Sequence, residues 1–238
     1  MKKHIPNAIT CLNLFSGCLG IVFAFNDQLH YASYAILIAA VFDFFDGMLA
    51  RLLNAYSDIG KELDSLADMV SFGVLPSVII YHLFLRIPQT DGIYIWLPYS
   101  AFLIAVFSGL RLAKFNIDTR QAEHFIGLPT PANAMLIGSL PLIINQSNSF
   151  MLNYIANPFV LLGLSIGMSL LLVAELPLIS LKFKNLRIKD NSLRYILILS
   201  SLILLLTIKF SAVPVIIALY VILSFVQFRL ISQDSQKK

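Results

Sequence analysis

Residues 31–85 read YASYAILIAAVFDFFDGMLARLLNAYSDIGKELDSLADMVSFGVLPSVIIYHLFL. Two apolar runs, 31–53 and 62–85, are separated by a short polar link. Each is long enough to cross the hydrocarbon core of a bilayer as a helix, which takes about 17–25 residues. Four aspartates, Asp43, Asp46, Asp64 and Asp68, stand on the two sides of that link. Acids inside spanning segments are costly and rare, so each is a functional candidate. Spacings of three and four place Asp43 with Asp46, and Asp64 with Asp68, on single helix faces. A short link makes the two helices antiparallel neighbours, so the pairs face each other.

The rest of the chain has the same character. Of its 238 residues 58% are hydrophobic and only 13% charged, against about 25% charged in soluble domains. Further apolar runs fall at 7–26, 93–113, 129–145, 157–181, 193–208 and 212–231. The fold class that follows is an all-α integral membrane bundle of about eight transmembrane helices. The first run follows Met1-Lys2-Lys3-His4 in signal-peptide order but lacks a small-residue cleavage site, so it reads as a retained helix.

Basic residues orient the bundle. With the N-terminus inside, 15 of the 17 Lys and Arg fall on inner segments or inner helix ends, leaving Arg86 and Lys209 outside. That asymmetry predicts an N-in, C-in topology. The net charge of +4 then lies on the face that meets anionic headgroups, and nothing resembles a soluble basic domain for nucleic acid. Lys182–Lys189 reads as an inner anchor. Cys11 and Cys18, seven apart on one helix, are too distant for a mutual disulfide and read as reduced core residues.

Four converging carboxylates in a low-dielectric site require cations to compensate them. An all-oxygen donor set without Cys or His favours Mg²⁺ or Mn²⁺ over zinc. Two such ions sharing the acids suit displacement at phosphorus. Gly47 and Gly60 suggest close approach of a ligand or of backbone, and the forked Arg51 guanidinium suits a phosphate or a nucleotide. The competing reading of any one acid is a buried ion network or an ion-coupled transporter.

Taken together, the residues form the pattern D-x₂-D-G-x₂-A-R-x₈-G-x₃-D-x₃-D from Asp43 to Asp68. Eight fixed positions put a chance match on the order of 10⁻¹⁰ per starting point. The pattern resembles that of the CDP-alcohol phosphotransferase family. The resemblance implies a polytopic homodimer that transfers a phosphatidyl-type group from a CDP-linked lipid to an alcohol and releases CMP. It implies a metal cluster of Asp43, Asp46, Asp64 and Asp68, with Asp68 also the general base. Gly47, Ala50, Arg51 and Gly60 would then hold the CDP moiety. It further implies one membrane domain over residues 1–238, with a catalytic core over 1–145 and added helices over 146–238. Its active site would face the cytoplasm in the plasma membrane.

Three more stretches bear on the acceptor. Ile5-Pro-Asn-Ala-Ile-Thr-Cys-Leu-Asn-Leu-Phe-Ser-Gly17, Ser71-Phe-Gly-Val-Leu-Pro76, and Gly109–Asn116 with Phe125–Ala132 look like the serine-using bacterial branch of the family. Asn13 stands where glycerol-phosphate-using members usually carry Arg. The resemblance covers about the first 140 residues and implies CDP-diacylglycerol and L-serine as substrates. Glycerol 3-phosphate or inositol phosphate stays open as the alternative. Serine is a zwitterion and needs a cation for its carboxylate; Arg111, at the inner end of a span, is placed for that or for anchoring. Ser71 and Asn116 are polar partners for substrate, or else an interhelical bond or cap. Lys114 and Arg120 either hold lipid phosphate or are solvated. Pro129-Thr130-Pro131 reads as a helix start with a secondary role at the acceptor pocket, and Glu175 has no assigned role.

Overall fold

The computed structural model describes residues 4–88, 92–118, 125–146, 154–178 and 191–236. Helix α1 (His4–Phe25) turns through Asp27 into α2 (Leu29–Leu52). After a short link, α3 (Asp58–Asp68) runs through a π-helical turn (Met69–Val74) into α4 (Leu75–Leu85). Two 3₁₀ turns, Gly92–Ile95 and Leu97–Ala101, lead into α5 (Phe102–Ile117). The remaining helices are α6 (Thr130–Gln146), α7 (Pro158–Val173), α8 (Ser192–Ile208) and α9 (Ala212–Gln236). Each apolar run of the sequence contains one helical segment, and the protein is an all-α membrane protein.

Among the described residues, His4–Phe25, Asp58–Leu85, Leu97–Ile117 and Ser192–Val226 are long and apolar enough to cross a bilayer, and Pro158–Val173 is a shorter apolar helix. The long α8–α9 stretch is broken at Lys209, where φ is +51°. Large apolar side chains such as Phe15, Phe44, Trp96 and Leu206 are exposed on the outside of the bundle, as lipid-facing residues would be. The buried core is made by Ile36, Phe72, Leu75, Ile79, Phe84, Ile104 and Ile137 from α2, the π turn, α4, α5 and α6.

Several features depart from the sequence expectations. The run 157–181 does not stay helical: α7 stops at Val173, and Ala174 turns extended at φ −60°, ψ 136°. Pro177, with no N–H and a fixed φ, opposes helix just beyond. Pro177–Leu178 instead pairs antiparallel with Phe125–Ile126. This pairing, the Gly127 N–H to the Leu176 carbonyl and the Leu128 N–H to the Leu171 carbonyl dock the start of α6 on the end of α7. Both cysteines are exposed rather than packed in the core, because they lie on the outer face of α1.

The π turn has a cause in the sequence. Pro76 offers no N–H to the Phe72 carbonyl one turn earlier, and its ring crowds that position. The helix widens over Met69–Val74. Such wide turns are frequent at functional sites.

Candidate active site

The site is built where α2 meets α3. Asn54, at φ +49°, ends α2 in the left-handed conformation that asparagine tolerates. The Ala55 N–H returns to the Ala50 carbonyl at 2.9 Å. Ser57 then caps α3, its hydroxyl accepting the Gly60 N–H at 3.1 Å. This five-residue link turns the chain so that α3 packs on α1, with Asp64 and Asp68 brought near Asp43.

One carboxylate oxygen from each of Asp43, Asp64 and Asp68 comes within 4.8 Å of the others. Asp46 lies one helical turn from Asp43, is 6% exposed, and has an Oδ2 without a hydrogen-bond partner in the protein. Such crowding of acids is unfavourable without cations, and an orphaned buried carboxylate oxygen is a ready ligand. The four aspartates therefore fit a divalent-metal centre by donor type, proximity and unmet charge. Asp43, Asp64 and Asp68 bring ligand oxygens close enough together to share an ion, and Asp46 lies beside them.

A cavity of about 510 Å³ opens next to the cluster, lined by Asp43, Asp46, Gly47, Met48, Arg51 and Asp64, with Phe44 and Leu52 at its apolar edge. The two motif glycines serve different ends. A Cβ at Gly47 would meet only Arg51 Nη2, at 3.8 Å, so the backbone there is open to a ligand. A Cβ at Gly60 would stand 2.9 Å from both Asn7 Oδ1 and Ser57 Oγ, so that glycine admits α1 against the cap of α3. Arg51 lines the cavity and is exposed, whereas Ala50 and Gly60 do not line it.

Helix α1 supplies a residue whose place the sequence did not reveal. Asn13 is fully buried and donates its Nδ2–H to Asp68 Oδ1 at 3.3 Å. The Ser71 hydroxyl donates to the Asn13 carbonyl at 2.9 Å, and Gly17 packs against Ser71. Asn13 is thus a side-chain partner of the last aspartate. Its separation from Asp68, 55 residues, hides the contact from any local reading.

The remaining acceptor candidates separate. Ser71 is fully buried in the contact between α1 and the π turn, where its hydroxyl donates to Asn13 and clasps the two elements together. Asn116 donates its side-chain N–H to Ser65 Oγ at 2.9 Å, while its carbonyl accepts from Lys61 Nζ at 3.1 Å. That residue ties α5 to α3, because the two side chains meet across the inner end of the bundle. Lys114 is exposed at the end of α5. Arg120, like Lys182–Lys189, lies outside the described residues. Arg111 is turned inward: it is 8% exposed, its Nε has no hydrogen-bond partner, and its guanidinium carbon is 5.9 Å from the Phe115 ring centre. It lies within electrostatic range of Asp68 and Tyr220.

Residues 3–173 match the family model described as CDP-alcohol phosphatidyltransferase. The chain belongs to the CDP-alcohol phosphatidyltransferase family. Relatives within this phosphatidyltransferase family include the CDP-diacylglycerol–serine O-phosphatidyltransferase of Bacillus subtilis, 38% identical over 73% of this chain and 89% of that protein. The Helicobacter pylori J99 protein of the same name is 32% identical over 94% of this chain and 90% of its own length. An archaetidylserine synthase of Methanothermobacter thermautotrophicus is 36% identical over 57% of this chain and 56% of its own. The aspartate cluster, the open Gly47 and the cavity thus belong to a phosphatidyltransferase of this family.

Proposed function

We propose that this chain transfers the phosphatidyl group of CDP-diacylglycerol to the hydroxyl of L-serine, giving phosphatidylserine and CMP. The observation that carries the reading is the meeting of Asp43, Asp64 and Asp68 beside a cavity lined by Gly47 and Arg51. Serine as the acceptor follows from the relatives, whose names specify it.

Asp43, Asp46, Asp64 and Asp68 would hold divalent ions, two of Mg²⁺ or Mn²⁺. Bound there, the ions supply positive charge that offsets the carboxylates and the diphosphate. The chain's own groups do the rest. The open backbone at Gly47 lets the CDP moiety approach α2, and the Arg51 fork binds its phosphate oxygens. Phe44 and Leu52 give the lipid part an apolar wall. Asp68, held by Asn13, takes the proton of the serine hydroxyl. The serine oxygen then bonds to the β-phosphorus, and the bond from that phosphorus to the bridging oxygen breaks, its electron pair leaving with CMP. Catalysis in this scheme is positioning and electrostatics more than covalent chemistry.

The same reading takes residues 1–238 as one membrane domain, with a catalytic core over 1–145 followed by added helices. It places eight spans N-in and C-in in the plasma membrane, the site at the cytoplasmic face, in a homodimer. The motif acids lie in the last turns of α2 and the second half of α3, on either side of the link that the basic residues mark as cytoplasmic.

CMP release by detergent-purified protein, given CDP-diacylglycerol and Mn²⁺ with serine, glycerol 3-phosphate or inositol phosphate in turn, tests the proposal. Release only with serine, abolished by EDTA, is expected. Release with another alcohol overturns the acceptor, and no release from folded protein overturns the reaction.

A further inference from the structure

Behind the aspartate cluster the bundle keeps a group of buried polar atoms that no protein partner satisfies. Thr130 Oγ1, both side-chain atoms of Asn133, Ser108 Oγ and Arg111 Nε are buried without a hydrogen bond. Thr130, Asn133 and Ser108 are 0% exposed and Arg111 is 8% exposed. Leaving one such group unpaired costs about 1–3 kcal/mol. Such orphaned groups on α5 and α6, two helices that both pack against the π turn, are what a polar ligand site looks like before the ligand arrives.

Helix register sets their depth. A Cβ at Gly138 on α6 would stand 3.0 Å from Ile36 of α2. In the N-in topology read from the basic residues the two helices run antiparallel, so moving from Gly138 toward the start of α6 is moving from Ile36 toward Asp43. At 1.5 Å per residue, Asn133 lies about 7.5 Å and Thr130 about 12 Å along, which brackets Asp43 at about 10.5 Å. On the other side, Ser108 of α5 is 3.0 Å from a Cβ built at Gly73 of the π turn. Arg111, one turn nearer the inner face, is then level with the first residues of that turn, next to Asp68. Its electrostatic reach to Asp68 and to Tyr220 of α9 agrees with this placement. Helix α9 in turn packs on α6.

None of Thr130, Asn133, Ser108 and Arg111 lines the CDP cavity. The cavity wall includes Asp43, Asp46 and Asp64 but not Asp68. In a displacement at phosphorus the attacking and leaving oxygens are roughly in line. With CMP leaving on the Gly47 and Arg51 side, the acceptor must enter from the far side, where Asp68 and Arg111 lie.

We infer that Thr130 and Asn133 of α6, with Arg111 and Ser108 of α5, form the acceptor subsite that reads the amino-acid part of the substrate. Arg111 binds the carboxylate. The Asn133 carbonyl oxygen and the Thr130 hydroxyl accept from the ammonium group, and Ser108 forms the floor. This rests on the reading of serine as acceptor, and it replaces Ser71 and Asn116 as acceptor contacts.

The test compares Asn133→Leu, Thr130→Val and Thr130→Ser with the unaltered full-length protein in detergent. The readouts are CMP release at varied serine and varied CDP-diacylglycerol, and thermal stabilisation by added L-serine. The expected result for Asn133→Leu and Thr130→Val is a serine KM raised at least about tenfold and loss of the serine-dependent thermal shift, with the CDP-diacylglycerol KM within about twofold. One lost hydrogen bond to a charged group, at about 1.5–3 kcal/mol, gives that scale. Thr130→Ser, which keeps the hydroxyl, should stay near the parent value. A serine KM within twofold in Asn133→Leu or Thr130→Val overturns the inference, as does a parallel rise in both KM values. Should the unaltered protein use a different alcohol, the proposed acceptor fails but the subsite does not, provided these variants raise the KM for that alcohol. Should Asn133→Leu not fold, the Thr130→Val and Thr130→Ser pair decides alone, since valine and serine each keep close to threonine's size.

Discussion

Asn13 of α1 holds Asp68 of α3 by a hydrogen bond of 3.3 Å between its side-chain amide and Oδ1. The donor is fully buried, and its own backbone carbonyl is fixed by the Ser71 hydroxyl at 2.9 Å. The first helix, packed directly on α3, therefore orients the last acid of the motif. An Asn13→Leu substitution keeps the volume and removes the donor. A hydrogen bond to a charged group is worth about 1.5–3 kcal/mol, so kcat should fall about 10- to 100-fold. The KM for CDP-diacylglycerol should change little, because Asn13 does not line the cavity. Steady-state CMP release checks both, and an unchanged kcat would remove Asn13 from the machinery.

Asp68→Asn removes the proposed base together with one carboxylate of the cluster. The amide keeps the shape of the carboxylate but takes no proton. A general base contributes about 10²–10⁴ in rate. The expected loss in kcat lies in that range, with CDP-diacylglycerol still raising the melting temperature. A loss under tenfold would show that another group takes the serine proton.

Gly47→Ala and Gly60→Ala should differ in sign. Gly47 has open space where its Cβ would stand, so alanine there should stabilise α2 by up to about 1 kcal/mol. The same methyl enters the cavity and should raise the KM for CDP-diacylglycerol several-fold. At Gly60 the methyl would meet Asn7 Oδ1 and Ser57 Oγ, both at 2.9 Å, so alanine should lower the melting temperature by prying α1 from the α3 cap. Thermal melts beside KM values distinguish the two. Equal behaviour of the pair would sink the division of roles.

The sequence carried the apolar runs and the motif, because run length and local spacing are properties of neighbouring residues. It therefore placed a helix in every run and put Asp43, Asp64 and Asp68 together. What it missed depends on distant residues. Asn13 meets Asp68, and Asn116 meets Ser65, across separations of 55 and 51 residues that no periodicity encodes. Ser71 and Asn116 looked like substrate ligands since a polar side chain near a motif has two readings, and only packing chooses between them. The end of α7 at Val173 was hidden for another reason: residues 174–178 are mostly apolar, and composition does not distinguish a helix from an extended pair. Pro177 was the available signal, as Pro76 was for the π turn.

The acidic cluster gives the last prediction, in which stability and activity move oppositely. One oxygen from each of three carboxylates lies within 4.8 Å of the others in a half-buried site, and the unpartnered Asp46 oxygen adds a fourth acid. Without cations their mutual repulsion opposes folding; with Mg²⁺ or Mn²⁺ bound it is offset. Adding either ion to EDTA-treated protein should raise the melting temperature, and activity should return with it. Asp43→Asn removes one of the crowded charges. In EDTA the variant should melt higher than the unaltered protein, since the substitution relieves repulsion that no metal compensates. With metal it should gain less stabilisation and lose most of its CMP release, because a ligand is gone. Melts with and without Mn²⁺, run beside the CMP assay, check all three statements. A variant that melts lower than the parent in EDTA would mean that the carboxylates are satisfied within the protein, and the metal centre would lose its physical basis.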